Sequence, residues 1–260
     1  MIRIVPLGIS GYLPIHGRHS SCFLVLTDRT TFMLDAGTGA ARLAESKIRK
    51  LIAGRAELHI LLSHYHVDHT VGLYYSFTQW KSGPQTVHCP VCPFVSANPD
   101  EAIGRLFSPP LNSFELKDAN MKVAPVNKSS FTIAGHRITV WPQQHPGGSV
   151  GFRIDDEVAY MSDTVVMMEN VPKVAGVKML LHELWLNEKD SKEHEKEFKR
   201  HACYGPVAEF VREARPKTMM PVHLYPHYTD RQLEVLTRKL ERETGVSCLL
   251  PEEGRVYRVT

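Results

Sequence analysis

The sequence predicts an α/β protein in which ligand-type side chains follow buried strands. Apolar runs of strand length, such as residues 58–62, alternate with stretches of helical periodicity. Three histidines and an aspartate fall within six positions directly after that run, and strand ends are where open sheets place chemistry. At 260 residues the chain can form one large α/β domain or two small ones and can bury a sizeable core.

Composition excludes several classes of protein. A hydrophobic content of 43% and a charged content of 23% are globular values, and a formal charge of +3 permits a nucleic-acid partner without demanding one. The five scattered cysteines do not form a disulfide framework. No run reaches the length of a membrane span, and the amino terminus reads as a strand rather than a signal peptide. We therefore expect a cytoplasmic protein with no membrane partner, and a homodimer remains among the alternatives.

The first half of the chain alternates short strands with helical patterns. Strands are predicted at 2–7, 21–27 and 31–34, a turn follows at 35–39, and a helix is predicted over 40–53. The strand at 58–62 leads into the histidine-rich loop and a helix to about residue 80, after which residues 83–111 are irregular. Cys89 and Cys92 in that stretch are a lone pair, so reduced thiols are favoured over a structural zinc, which stays the alternative.

The second half returns to strands before its helices. Strands are predicted at 122–125, 130–133, 136–141, 150–155, 157–161, 178–185 and 217–222. A helical segment is predicted over 190–215. A capping box at 229–232 starts the last helix, which runs to Gly245, and short strands at 246–250 and 255–259 complete the chain.

The loop at 64–69 carries metal-ligand chemistry. In extended chain, positions two apart project to one side, so His64 and His66 can converge on one ion, while Asp68 and His69 point elsewhere after the turn. This spacing indicates two adjacent metal sites of the zinc type. The alternative is that these are ordinary loop histidines satisfied by hydrogen bonds.

The pattern His-x-His-x-Asp-His at 64–69 resembles the metal-binding signature of the metallo-β-lactamase superfamily. The resemblance implies a four-layer αββα sandwich formed by a single hydrolase domain over residues 1–260. It also implies two divalent metal ions, for which nitrogen-rich ligands favour zinc, with manganese or iron as alternatives. Asp35, an aspartate followed by glycines, matches the position that supports the metal loop from behind, and its other interpretation is a turn and helix cap.

The resemblance also assigns the remaining ligands. Each of the three residues that complete the set follows a predicted strand. His145 would join His64 and His66 at the first ion, Asp163 would bridge both ions, and His223 would complete the second site. The implied ligands are His64, His66, Asp68, His69, His145, Asp163 and His223. The implied reaction is hydrolysis by a water activated between two metal ions.

Three further segments, Pro6-Leu7-Gly8, His182-Glu183 and the run from His223 to Tyr228, resemble the ribonuclease Z and phosphodiesterase branch of the superfamily. In that branch a glutamate orients a later histidine that protonates the leaving oxygen, which implies catalytic roles for Glu183 and His201 alongside Asp68. His194, seven positions earlier on the same predicted helical face, competes with His201 for the role of general acid.

The predicted substrate is a small or flexible phosphodiester. Few residues separate His145 from Asp163, so there is no room for the long arm that grips transfer RNA in many ribonuclease Z proteins. Nucleic acid remains a candidate substrate, but not through an arm of that type. One alternative is hydrolysis of a carbon ester, thioester or lactone at the same metal centre. Another, of a different class, is a non-catalytic metal-binding accessory protein.

Overall fold

The computed structural model describes the backbone of all 260 residues and every side chain except that of Phe198. The chain divides into two compact units. Unit 1 comprises Met1–Asn127 and Glu252–Arg258, and unit 2 comprises Lys128–Pro251 and Val259–Thr260. That residues 1–260 act as one hydrolase domain stays a prediction.

Unit 1 contains a seven-stranded mixed sheet. Its strands are β1 (Arg3–Gly8), β2 (Cys22–Leu26), β3 (Thr31–Leu34), β4 (Leu58–Leu61), β5 (Gln85–Pro90), β6 (Met121–Val126) and β14 (Tyr257–Arg258). They lie in the order β14-β1-β2-β3-β4-β5-β6. Pairing is antiparallel from β14 to β3 and parallel from β3 to β6. Parallel pairing puts the carboxyl ends of β3, β4 and β5 at one edge of the sheet.

Helices of unit 1 bury apolar faces against this sheet. They are α1 (Ser46–Ile52), α2 (Val67–Thr70), α3 (Gly72–Gln79) and α4 (Pro99–Leu106), with 3-10 turns at Thr38–Ala44 and Leu116–Asp118. Ile48, Leu73 and Ile103 from the helices join Ile60 and Val87 from the strands in one buried cluster. Because β4 and α3 share this core, the segment between them, which includes α2, is anchored at both ends.

Unit 2 contains a second seven-stranded mixed sheet. Its strands are β7 (Ser130–Ile133), β8 (His136–Gln143), β9 (Ser149–Ile154), β10 (Val158–Met161), β11 (Met179–Glu183), β12 (Thr218–Val222) and β13 (Ser247–Cys248). They lie in the order β13-β12-β11-β10-β9-β8-β7. The pairs from β10 to β13 are parallel, and those from β7 to β10 are antiparallel.

The helices of unit 2 include the well-capped carboxy-terminal one. They are α5 (Val171–Val174), α6 (Glu188–Glu193), α7 (Glu195–Phe198), α8 (Tyr204–Ala214) and α9 (Asp230–Thr244), with a 3-10 turn at Met168–Asn170. The capping box predicted for α9 is confirmed, because the Thr229 side chain accepts from the Gln232 backbone N–H and the Gln232 side chain accepts in return from the Thr229 backbone N–H. Gly245 ends α9 in the left-handed region, at φ 71°.

Two predicted helices are interrupted in the structure. The helix predicted over 40–53 is a 3-10 segment and α1, separated by Glu45 in an extended conformation. The helix predicted over 190–215 is three helices, and His201 lies in the break between α7 and α8. Pro206 explains the second break, since proline is tolerated in the first turn of a helix and not in its interior. Among the described residues no helix is long and apolar enough to cross a membrane.

Candidate metal-binding sites in the two units

In unit 1 the predicted site residues follow two neighbouring parallel strands. Leu34 at the end of β3 is paired with Leu61 at the end of β4, and the Asp35 backbone N–H donates to the Leu61 carbonyl at 3.0 Å. The next residues of both strands therefore emerge at the same edge of the sheet. This register places Asp35 beside the start of the loop that carries His64 and His66.

The Asp35 carboxylate holds that loop from behind. It is fully buried and accepts from the Ser63 backbone N–H at 2.7 Å, the Ser63 hydroxyl at 2.7 Å and Nδ1 of His69 at 2.8 Å. Its backbone lies in the left-handed region at φ 53°, which is costly for a residue other than glycine. The predicted supporting role of Asp35 is confirmed by these contacts.

These hydrogen bonds fix which nitrogen of each imidazole carries a lone pair. His69 Nδ1–H donates to Asp35, so a neutral His69 has its lone pair on Nε2. The Ser63 hydroxyl donates to Asp35, so it accepts from His64 Nδ1–H at 2.9 Å, and the lone pair of His64 is again on Nε2. Carboxylate and hydroxyl partners on the far nitrogen are the usual support of metal-binding histidines.

The ligand atoms of the motif lie close together within unit 1. The His64 ring centroid lies 4.6 Å from that of His66 and 4.3 Å from that of His69. Nε2 of His69 lies 3.1 Å from Oδ2 of Asp68. Two ligands of one tetrahedral zinc ion are about 3.3 Å apart, given zinc–ligand bonds of about 2.0 Å. Asp68 and His69, predicted for the second site, therefore have the spacing of ligands of a single ion.

Two glycines allow this loop to pack tightly. A Cβ on Gly37 would lie 2.4 Å from the Asp68 carbonyl oxygen, and one on Gly72 would lie 2.0 Å from the Gly37 carbonyl oxygen. Only a residue without a side chain permits such close approach of two backbone segments. The turn at 35–39 and the helix that follows the motif are in this way locked together.

In unit 2 the predicted site residues also emerge at one edge. Met161, His182 and Pro221 occupy the same register on parallel strands β10, β11 and β12. Asp163, Glu183 and His223 follow them at the common carboxyl edge. His145 follows β8, which shares its direction with β10 because both are antiparallel to β9. The Val165 backbone N–H donates to the Gln144 carbonyl at 2.8 Å and ties the two loops together.

Asp163 lies between two imidazole nitrogens. Its Oδ1 is 3.0 Å from Nε2 of His223, and its Oδ2 is 3.6 Å from Nε2 of His145. Nδ1 of His145 donates to the Arg200 carbonyl at 3.0 Å, and Nδ1 of His223 donates to Glu183 at 2.8 Å. In the neutral rings both Nε2 lone pairs then face the same carboxylate.

This donor set fits a divalent cation. A lone pair facing a carboxylate oxygen at about 3 Å is repulsive unless a proton or a metal ion lies between the two atoms. Burial lowers the pKa of His145, which favours the neutral ligand form over the protonated one. One ligand atom from each of Asp163, Glu183, His201 and His223 lies within 4.8 Å of the others. Nitrogen and carboxylate donors in this density suit zinc and, less selectively, manganese or iron.

Glu183 is the buried centre of this cluster. Its side chain is fully buried, and Oε1 accepts from Nδ1 of His201 at 2.6 Å as well as from His223. Oε2 accepts from the backbone N–H groups of Thr164 at 3.1 Å and Ala202 at 2.8 Å. Burial alone would raise the pKa of Glu183, but the charge of His201 and the hydrogen bonds from both histidines outweigh it and lower that pKa. Glu183 is therefore held as a carboxylate.

His201, and not His194, contacts Glu183. Burial lowers the pKa of His201, but the charge and hydrogen bond of Glu183, with the charge of Asp163, raise it overall. The His201 side chain is 12% exposed, so it is not sealed from solvent. His194 caps α6 and is exposed. The prediction that His194 and His201 lie on the same helical face is wrong, because the helix is broken between them.

The cysteine pair is not part of a metal cluster. Cys89 is buried and Cys92 is exposed. Neither belongs to any group of three or more histidine, cysteine or acidic side chains that could hold an ion among the described side chains. The reduced-thiol interpretation is thus favoured over a structural zinc.

Two contributors to the site were missed by sequence reasoning. The Ser63 hydroxyl connects Asp35 to His64 by hydrogen bonds to both. Its position directly before the first histidine was the only sequence signal for this role. Trp185 stacks on His201 and His223, with ring centroids 4.3 and 5.1 Å away. No local sequence pattern predicts this contact, because it joins three separate segments of the chain.

Comparison with known proteins identifies the family. The family described as "Beta-lactamase superfamily domain" matches residues 30–224, while no curated protein sequence matches the chain. The structure is similar to the metallo-beta-lactamase fold protein YhfI from Bacillus subtilis, with a TM-score of 0.74 and 16% identity over 99% of this chain and 100% of that one.

Two further similar structures carry names of enzymes. The short form of human tRNase Z has a TM-score of 0.71 and 18% identity over 99% of both chains. A diphosphatase from the PhnP family has a TM-score of 0.71 and 13% identity over 99% of this chain and 98% of that one. These likenesses confirm the predicted fold class. The chain belongs to the beta-lactamase superfamily and has the metallo-β-lactamase fold, whose members are generally metal-dependent hydrolases.

Proposed function

We propose that this protein is a metal-dependent phosphodiesterase, similar to ribonuclease Z but without its transfer-RNA-binding arm. The observation that carries the proposal is the double contact of Glu183. One oxygen of this buried carboxylate accepts from His223, a predicted metal ligand, and from His201, the predicted general acid. A carboxylate with these two partners links metal binding to proton delivery.

The proposed ligand set is the one that the resemblance to the superfamily implies. One ion would be held by His64, His66 and His145, and the other by Asp68, His69 and His223. Asp163 would bind both ions. The lone-pair assignments of His64 and His69 in unit 1, and of His145 and His223 in unit 2, support these roles. When bound, two divalent ions lower the pKa of a water molecule and offset negative charge on the attacked group. We favour zinc, with manganese or iron as alternatives.

His201 would donate the proton that the leaving oxygen needs. Glu183 accepts from Nδ1 of His201, so Nε2, which lies 3.9 Å from Oε2 of Glu197, is the nitrogen left to donate to a substrate. A carboxylate on the far nitrogen fixes the tautomer of the imidazole and stabilises its charged form, as in hydrolytic triads. The partial exposure of His201 gives a leaving group access to the ring.

A general acid favours phosphodiester over thioester chemistry. An alkoxide leaving from phosphorus is strongly basic and must be protonated, whereas a thiol has a pKa of about 8.5 and leaves readily as a thiolate. Two of the structurally similar proteins are named as a diphosphatase and a tRNase. Both names support a substrate with a phosphate ester or anhydride bond.

The proposed substrate is small or flexible. Residues 146–162 separate His145 from Asp163, and β9 and β10 account for most of them. A transfer-RNA-gripping arm has no room there, and a formal charge of +3 is weak for binding a folded RNA. Hydrolysis of a carbon ester, thioester or lactone is the second candidate, because the metal chemistry alone does not select the attacked centre.

The test is hydrolysis of bis(p-nitrophenyl) phosphate by purified, metal-loaded protein. The proposal expects turnover of this diester and unchanged metal content in His201→Ala. Because p-nitrophenolate leaves without a proton, that variant should lose little activity on it, whereas kcat should fall about 10²- to 10⁴-fold on a diester with an alkyl leaving group. His194→Ala is the matched control and should keep wild-type rates.

Other outcomes would redirect the proposal. Turnover of a thioester or lactone with none of any phosphodiester would favour the second candidate. Stoichiometric metal binding without turnover of any ester would indicate an accessory protein. Equal losses in His194→Ala and His201→Ala would remove the basis for His201 as the acid.

A further inference from the structure

Trp185 packs against two histidines of the unit 2 cluster although it has no ligand chemistry. It follows Glu183 by two residues, just beyond the end of β11, and is 1% exposed. Its backbone N–H donates to the Ala202 carbonyl at 2.8 Å, and the Ala202 N–H donates to Glu183 at 2.8 Å. Backbone contacts thus fix Trp185 against the segment that carries His201.

The indole covers two imidazoles at once. Its ring plane lies within 20° of the His201 ring, at a centroid distance of 4.3 Å, and within 17° of the His223 ring, at 5.1 Å. The two imidazoles are themselves 18° from parallel, with centroids 5.6 Å apart. Three flat rings of nearly one orientation form a single layered group.

The indole is itself held from two sides. Its Nε1–H donates to Oε2 of Glu197 at 3.2 Å, and the Tyr225 ring contacts it edge-on, at 5.2 Å and 77°. An edge-to-face neighbour and a hydrogen bond at the ring nitrogen are two independent restraints on the same plane. Trp185 is therefore a rigid support rather than a movable side chain.

Stacking restrains the ring planes of the two histidines, which the Glu183 carboxylate alone does not. A hydrogen bond to Nδ1 fixes the position of one ring atom, but the ring can still turn about the line that joins nitrogen and oxygen. A flat surface pressed against the ring removes this remaining freedom. The direction in which Nε2 points is then defined for both His201 and His223.

We propose that Trp185 is a positioning residue that fixes the ring planes of His201 and His223, so that one indole aligns both a proton donor and a metal ligand. The role of Trp185 toward His201 rests on the proposed phosphodiesterase function. Its role toward His223 rests only on metal binding, so the two roles can be tested separately.

The test compares variants at position 185 in the full chain. Trp185→Phe keeps an aromatic surface, while Trp185→Leu keeps an apolar side chain without one. The control is Trp141→Phe, which changes another buried tryptophan of unit 2. Thermal unfolding and circular dichroism establish that each variant is folded before other measurements are compared.

Three measurements follow for each folded variant. We expect Trp185→Leu to lower kcat about 10- to 100-fold with KM nearly unchanged, and to weaken zinc affinity about 10-fold in competition with a chromophoric chelator. Trp185→Phe should restore both values to within about threefold of wild type, because its ring still stacks. Cobalt added to the metal-free protein should quench tryptophan fluorescence in wild type and in Trp141→Phe, and far less in Trp185→Phe.

Defined outcomes would overturn the proposal. Wild-type kcat and zinc affinity in folded Trp185→Leu would show that the stack positions nothing. Equal losses in the Phe and Leu variants would show that volume, and not a flat ring, is what matters. If wild type hydrolyses no phosphodiester, the proposed function fails, but the zinc-affinity and cobalt-quenching measurements still decide the role of Trp185 toward His223.

Discussion

Nδ1 of His201 lies 2.6 Å from Oε1 of Glu183, the same oxygen that accepts from Nδ1 of His223. A single buried oxygen thus accepts from both the proposed general acid and a proposed metal ligand. Since both imidazoles depend on this oxygen, a change at Glu183 should disturb both roles at once. This coupling leads to the first prediction.

We predict that Glu183→Gln loses both activity and stability. Each Glu183 oxygen accepts from two groups, so an amide nitrogen in place of either oxygen leaves two of the four donors without an acceptor. We expect kcat to fall about 10- to 100-fold and the free energy of unfolding to fall by about 1–3 kcal/mol. Steady-state kinetics and denaturant unfolding measure the two effects.

Glu157→Gln is the control for this substitution. Glu157 is partly exposed in the same unit and pairs with Lys178 at 3.0 Å. Loss of such a pair changes the free energy of unfolding by less than about 1 kcal/mol. Wild-type kinetics and stability in Glu183→Gln would refute the orienting role of Glu183.

A second prediction concerns Asp35, which contacts the motif loop and is not among the proposed metal ligands. Asp35→Asn has one acceptor oxygen for three donors, the Ser63 N–H, the Ser63 hydroxyl and His69 Nδ1–H. We expect metal affinity to fall about 10- to 100-fold, because His64 and His69 lose their fixed tautomers. Competition with a chromophoric chelator measures the affinity.

Asp28→Asn provides the comparison for Asp35. Asp28 is exposed and pairs with the amino terminus at 2.6 Å, so its substitution should leave metal affinity at the wild-type value. If Asp35→Asn binds metal as tightly as Asp28→Asn, the support of the motif loop by Asp35 has no bearing on metal binding.

A third prediction concerns the close packing at Gly37. In Gly37→Ala the new methyl group would lie 2.4 Å from the Asp68 carbonyl oxygen and 2.7 Å from that of Ser21. Backbone atoms cannot move away cheaply, so we expect a loss of about 1–3 kcal/mol in the free energy of unfolding. Gly104→Ala in α4 meets no atom within 4 Å and should be neutral or stabilising by up to about 1 kcal/mol. Equal stability of the two variants would contradict the steric account.

Strand ends were the part of the site that the sequence could predict. Asp35 and His223 each follow an apolar strand directly, and Asp163 follows one after Ser162, so their positions depend on short-range order and on the register of parallel strands. A capping box and a terminal glycine likewise marked α9 by local chemistry alone. These features are encoded within a few residues of where they act.

The surroundings of His201 could not be predicted in the same way. The charged run before it suggested one long helix, and only Pro206 in the first turn of α8 pointed to the break. His201 reaches Glu183 because the chain turns there, and Trp185 stacks on it because distant segments pack together. Such tertiary contacts override the periodicity of a local sequence.

The most direct test of the central claim is a zinc titration of chelator-treated protein, followed by hydrolysis of bis(p-nitrophenyl) phosphate and by metal analysis on the same samples. The account predicts no turnover in the metal-free protein and a rate that reaches its plateau at two zinc ions per chain. Full activity in the metal-free protein, or a plateau with one ion bound at saturating zinc, would contradict it.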